Sequence, residues 1–112
     1  MPTAIAEKVH ELTDEGRLSQ QDVAQIVGAA PRTVARWIAG TASPQRDART
    51  RLLELAYVAE QLAEVIRRED INLWIFSPNR LLGGDKPADR IRDGDYKKVL
   101  AVIDALAEGV VA

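Results

Sequence analysis

The sequence predicts an all-α protein on three observations. The run from Asp47 to Arg68 carries Leu52, Leu55, Ala56, Ala59, Leu62, Ala63 and Ile66 at i, i+3, i+4, i+7, i+10, i+11 and i+14, one continuous helical face. The run from Leu18 to Gly40 holds two shorter amphipathic stretches with start and stop residues at their ends. Near the end of the chain, Val99, Val102, Ile103 and Leu106 repeat the helical spacing.

At 112 residues the chain can form one compact domain, or two very small ones sharing a core. It has no Cys, so a disulfide framework, a thiolate metal site and a cysteine nucleophile are excluded. The single His10 cannot build a zinc site with carboxylates alone, and no cofactor is expected. No apolar run approaches the roughly 20 residues that cross a bilayer, and the N-terminus lacks a signal-peptide pattern, so the expected location is the cytoplasm, with no membrane partner. Net charge is −2 but unevenly spread: residues 1–16 carry −3, residues 17–51 carry +4, residues 52–71 carry −3 and residues 72–112 balance. Every cation in the positive block is Arg, the side chain suited to bidentate contact with phosphate or guanine.

The first helix is expected from Thr3, a plausible N-cap, to Gly16, with Ile5, Ala6, Val9 and Leu12 inward and Glu7 near the start, where the helix dipole favours acid. His10 sits beside this stripe in a structural or solvated role. Ser19 and Asp22 form a capping-box variant opening a helix over Gln20–Val27, with Val23, Ala24 and Val27 inward. Gly28 supplies a turn with φ > 0, and Pro31 suits the first position of the next helix, where its missing N–H costs nothing. That helix buries Val34, Trp37 and Ile38 and ends at Gly40. Thr41–Asp47 is a turn-rich connection, with Asp47 expected to cap the long helix. At roughly 1.5 Å per residue that helix would run about 33 Å. A second set on it, Leu53, Tyr57, Val58 and Val65, predicts packing on more than one side.

Beyond the long helix, Asn72–Gly84 mixes two aromatics with four aliphatics at helical spacing and is expected to be mostly core. Asn79 caps a short turn that Gly83-Gly84 breaks. Pro87 begins a brief helix through Ile91 that Gly94 ends, and Asp95 is expected to cap a last helix, Tyr96–Glu108. The chain closes on Gly109-Val110-Val111-Ala112, a short apolar tail that either folds back on the core or docks into another protein.

The pattern carried by Gln20, Val23, Ala24, Val27, Gly28, Val34, Trp37 and Gly40 resembles the Xre/Cro-type helix-turn-helix. In that motif the second helix lies in the major groove and its exposed N-terminal residues reach base edges. Carried onto this chain, the contacts are Arg32, Thr33 and Arg36, with Gln20 and Gln21 donating to phosphate and Arg46, Arg49 and Arg51 extending the patch. The alternative is a helical hairpin with exposed arginines.

A second pattern, carried by Trp74, Ser77, Pro78, Asn79, Leu82, Gly83, Pro87, Ile91, Gly94, Tyr96 and Val99, resembles the toxin-binding domain of Xre/MbcA/ParS-type antitoxins. Together the two patterns cover nearly the whole chain. The resemblance implies three segments: a helix-turn-helix bundle over 1–46, a connecting helix over 47–69 and a helical toxin-binding module over 70–112. It implies an antitoxin, not an enzyme, that neutralises a RES-fold, NAD-degrading toxin by covering its cleft with the C-terminal region. Carried over by position, the toxin contacts are Trp74, Asn79, Arg80, Tyr96, Gly109, Val110, Val111 and Ala112. The resemblance further implies binding to operator DNA and a homodimer within a toxin–antitoxin hetero-oligomer. One departure is that the recognition helix opens Ala30-Pro31-Arg32 without a Ser or Thr cap. The rival is an Xre-type repressor with no dedicated toxin, sufficient alone for operator binding. An enzyme finds no support: no nucleophile, metal or phosphate-cradle constellation occurs, and Gly83-Gly84 alone is a loop.

Overall fold

The computed structural model describes residues 4–15 and 17–109, and within them every regular element is helical. The order is α1 (Ala4–His10), continued by a π-helical turn over Glu11–Glu15, then α2 (Gln20–Val27), α3 (Pro31–Ala39), α4 (Arg46–Ala63), α5 (Ile71–Ile75), α6 (Pro87–Arg92) and α7 (Tyr96–Ala107). Short 3₁₀ turns at Arg68–Asp70 and Arg80–Leu82 lead into and follow α5. None of these helices is long and apolar enough to cross a membrane. Thr3 and Gly16, expected to bound the first helix, lie outside the described residues, as do Val110, Val111 and Ala112. The left-handed turn seen after the π-helical segment is at Arg17, with φ of 58°.

Local sequence dictates α2 and α3 to the residue. Ser19 Oγ accepts from the Asp22 amide at 3.0 Å, and Asp22 Oδ2 accepts from the Ser19 amide at 2.9 Å, the reciprocal capping box. Gly28, at φ 76°, ends α2 and returns its N–H to Ala24 O at 2.9 Å. Pro31 opens α3, whose N-cap, Ala30, supplies no side-chain bond.

α4 is the axis. Its buried stripe of Leu52, Leu55, Ala56, Val58, Ala59 and Leu62 packs against α1 and α2 on one side and against α5, α6 and α7 on the other. The helix starts one residue before the expected Asp47 and stops at Ala63, five residues short of Arg68. Asp47 lies in its first turn, and the N-cap position is Gln45, with no side-chain bond. The C-terminal shortfall has a local cause. The amides of Glu64 and Val65 bond three residues back, to Gln61 O and Leu62 O, so the helix tightens and turns while Val65 and Ile66 still lean on the core. Apolar periodicity continued through a turn.

The core is one cluster running from Ile5 and Val9 through Leu18, Val34 and Leu52 to Ile71, Ile91 and Ile103. Each fully buried aliphatic contributes about 1.5–3 kcal/mol, whereas exposed ion pairs contribute about 0–1, so burial holds this fold. Two expectations fail locally. Leu73 is 71% exposed, because Ile71 and Ile75 anchor the short α5 and leave Leu73 on its far side. Asp95 stands at the N-cap of α7 but makes no capping bond, since its carboxylate faces Arg90 at 3.0 Å and Lys98 at 3.8 Å.

Candidate functional site

α3 packs on α1 and α2 through Val34 and Trp37 and turns its opposite side outward. Arg32 and Arg36, one turn apart on that side, are both exposed. Thr33, expected beside them, is half-buried, because it is rotated toward the side that carries Trp37. Gln20 and Gln21 are exposed at the start of α2, and Arg46 and Arg49 at the start of α4. Within the described residues Arg32, Arg36, Arg46 and Arg49 make no ion pair or hydrogen bond through their side chains. Arg51 leaves this group: it is half-buried, holds Glu54 at 2.6 Å, and its guanidinium fills the space beside Gly94, where a Cβ would stand 3.4 Å away. The arrangement presents unneutralised guanidinium groups around one short helix, which suits phosphate and guanine and no bond-making chemistry.

The C-terminal segment treats its cations differently. Arg90 bonds Asp85 Oδ2 at 2.8 Å, Asp95 Oδ2 at 3.0 Å and the carbonyl of Leu82 at 3.0 Å, so one guanidinium ties together the Gly83-Gly84 loop, α6 and the start of α7. Its pKa is raised, first by the hydrogen bond to Asp85 and then by that to Asp95. Arg92 lies between Asp89 and Asp93 at 3.5 and 3.8 Å.

Of the residues expected to touch a toxin, Asn79 is 5% exposed, and its Oδ1 accepts from the Leu81 amide at 2.9 Å. It caps the turn from inside the fold. Trp74 and Tyr96 are half-buried against the core, and the indole Nε1 of Trp74 is buried without a hydrogen-bond partner within the described residues. Arg80 and Gly109 are exposed.

Sequence reading missed two grooves. One, of about 460 Å³, lies between the 3₁₀ turn after α5 and α7, where Leu81, Lys98, Ala101 and Val102 line it beside Arg90. Leu81, 40% exposed there, was detectable only as a second Leu beside the buried Leu82. The other, of about 240 Å³, has a floor of Ala56, Ala59 and Ala63 and a rim that includes Glu11, Glu15, Glu60 and Glu64. Among the described residues no three His, Cys, Asp or Glu side chains are placed to hold a metal ion.

The capping box of α2 is joined to the C-terminal segment: Asn72 Nδ2 donates to Asp22 Oδ2 at 2.8 Å, and α2 packs on α6. The candidate DNA-facing and partner-facing regions are therefore parts of one packed body.

No family model matches the chain. Over 93 residues, 83% of this chain and 82% of the relative, it is 60% identical to the mycobacterial cidal antitoxin MbcA of Mycobacterium tuberculosis, and equally to that of Mycobacterium bovis. It is 27% identical over 92 residues, 82% of this chain and 78% of the relative, to a probable mycobacterial cidal antitoxin of Mycobacterium tuberculosis. Among solved structures it superposes on a chain from the crystal structure of the M. tuberculosis MbcT–MbcA toxin–antitoxin complex with a TM-score of 0.87 and 53% identity, covering 98% of this chain and 99% of that one.

Proposed function

The chain belongs to the family of the mycobacterial cidal antitoxin MbcA, and from that premise we propose that it neutralises a RES-fold, NAD-degrading toxin by covering the toxin's cleft with its C-terminal region. The observation that carries this reading is the end-to-end superposition, at 53% identity, on a chain from a toxin–antitoxin complex. The contact surface runs along the C-terminal segment through Arg80, the groove beside Leu81, and the tail from Gly109 to Ala112. Trp74 and Tyr96 support it from the core side.

The same reading makes the N-terminal helices an operator-binding element that regulates the chain's own synthesis in the cytoplasm. Arg32 and Arg36 face the bases and phosphates, and Gln20 and Gln21 donate to the backbone. What favours it is that Arg32, Arg36, Arg46 and Arg49 stay unneutralised on the surface among the described residues while Arg90 and Arg92 are paired. The active species is a homodimer inside a hetero-oligomer with the toxin.

The test is inhibition of NAD consumption. The full chain, added to its cognate toxin, should stop the reaction at a stoichiometric ratio. A chain lacking Gly109–Ala112 should raise the inhibitory concentration by about 100-fold, the scale of removing an interface hot spot, with unchanged helix content. Full inhibition by the truncated chain would move the occluding element elsewhere. No inhibition by the intact chain, together with tight operator binding, would favour the repressor alternative.

A further inference from the structure

The bond that ties the two halves of the chain together ends on the acid that caps α2. Asp22 is the sole acid between Glu15 and Asp47, in a stretch whose other charges are all arginines. Its Oδ2 accepts twice, from the Ser19 amide at 2.9 Å and from Asn72 Nδ2 at 2.8 Å. The same Nδ2 donates at 3.5 Å to the carbonyl oxygen of Arg17, so one side-chain amide serves both sides of the turn into α2. Among the described residues other than glycine, only Arg17 has a positive φ. A residue with a Cβ keeps that conformation at a cost, and persists in it where its surroundings hold it.

Asn72 is well placed to be that hold. It lies 50 residues beyond Asp22, in α5, between Ile71 and Ile75, which are both fully buried and fix the helix that carries it. What it holds is the first turn of α2. Gln20 and Gln21, both exposed, are the two residues enclosed by the Ser19–Asp22 capping box. Wherever Asp22 is set, their backbone and the direction of their side chains are set with it.

We propose that Asn72 is a positioning residue for operator binding. By fixing the capping box and the Arg17 turn, it presents Gln20 and Gln21 to backbone phosphate. The assignment deepens the operator-binding reading and rests on it. One determinant of DNA affinity then lies in α5, outside the N-terminal helices, and acts in a chain with no toxin bound.

The experiment is a fluorescence-anisotropy titration of the full chain, without toxin, on a labelled duplex of the DNA upstream of its coding sequence. N72A should weaken binding by about 3- to 10-fold, the scale of one hydrogen bond, and keep the circular dichroism of wild type. Its salt dependence should retain the wild-type slope, because Gln20 and Gln21 are uncharged, whereas R32A/R36A should flatten it. In a Q20A/Q21A background the further loss from N72A should shrink below about twofold. N72D sets two carboxylates face to face and should weaken binding by more than about tenfold. D22N/N72D exchanges donor and acceptor and leaves an oxygen for the Ser19 amide, so affinity should return to within about threefold of wild type. I75A separates positioning from stability: it should melt at a lower temperature than N72A, yet bind as wild type does below its transition.

N72A binding as tightly as wild type would overturn the proposal. So would an undiminished N72A loss in the Q20A/Q21A chain, or a folded D22N/N72D variant as weak as N72D. If R32A/R36A loses affinity while N72A keeps it, the operator reading stands and only the Asn72 assignment falls. If the wild-type chain does not bind the duplex, the operator reading itself falls and the assignment goes with it.

Discussion

The two ends of this molecule use arginine in opposite ways. Around α3 and the start of α4, Arg32, Arg36, Arg46 and Arg49 are exposed and make no ion pair among the described residues. Around α6, Arg90 and Arg92 are held among Asp85, Asp89, Asp93 and Asp95, and Arg90 also grips a backbone carbonyl. A guanidinium already surrounded by carboxylates gains little from a phosphate, whereas an unpaired one loses no internal bond on meeting it. The difference teaches that the N-terminal arginines are left without an ion pair among the described residues, and that those of α6 serve the fold.

Four variants break or sharpen this contrast, and the largest effect should come where both ends share a core. Ile75→Ala removes a fully buried side chain from α5 and should lower unfolding stability by about 2–5 kcal/mol. In urea melts it should shift the whole transition, and a melt in which one half unfolds first would show that the halves are separate. Next comes the pair Arg32→Ala and Arg36→Ala. Operator affinity should drop by about 10- to 100-fold, the scale of one base contact with a phosphate contact, while toxin inhibition and melting temperature stay put. Toxin inhibition lost in that folded variant would mean that the two ends are not distinct in function.

Asn79→Ala removes the cap of the 3₁₀ turn at Arg80–Leu82 and should cost about 1 kcal/mol of stability. If toxin affinity falls well beyond what calorimetry attributes to stability, Asn79 is a contact residue after all. The smallest effect should be that of Arg92→Ala, a half-exposed residue between two aspartates, which should change stability by less than about 0.5 kcal/mol and leave operator affinity unchanged. An operator defect there would erase the contrast between the two sets of arginines.

How much of this could be read in advance depended on how local its cause was. Ser19, Asp22, Gly28, Pro31 and Gly40 act on their own neighbours, and the bounds of α2 and α3 follow from them. The end of α4 did not, because Val65 and Ile66 keep the apolar period while the backbone tightens. Asp95 looks like a cap in sequence, and only the arrival of Arg90 from the preceding helix shows why it makes no capping bond. Among the candidate site residues, the outward set of Arg32 and Arg36 was legible from helical spacing. The half-burial of Thr33 and the internal bond of Asn79 were not, since both depend on what packs around them. The pair Leu53 and Tyr57 was visible as a second stripe, but its exposure was not.

The hydrogen bond from Asn72 to Asp22, with α2 lying against α6, bears on how such chains could diversify. The segment that would face the toxin also forms the rear wall of the segment that would face DNA. Grafting the first 70 residues onto another effector would strip α2 of that wall and its capping box of one partner, so the excised piece would need new apolar cover before it could fold. A lineage that changes toxins therefore cannot exchange the C-terminal half as a cassette. On the proposed reading it must alter the outward residues of the C-terminal segment while leaving the inner faces in register, so specificity should drift on the outside of a constrained interior.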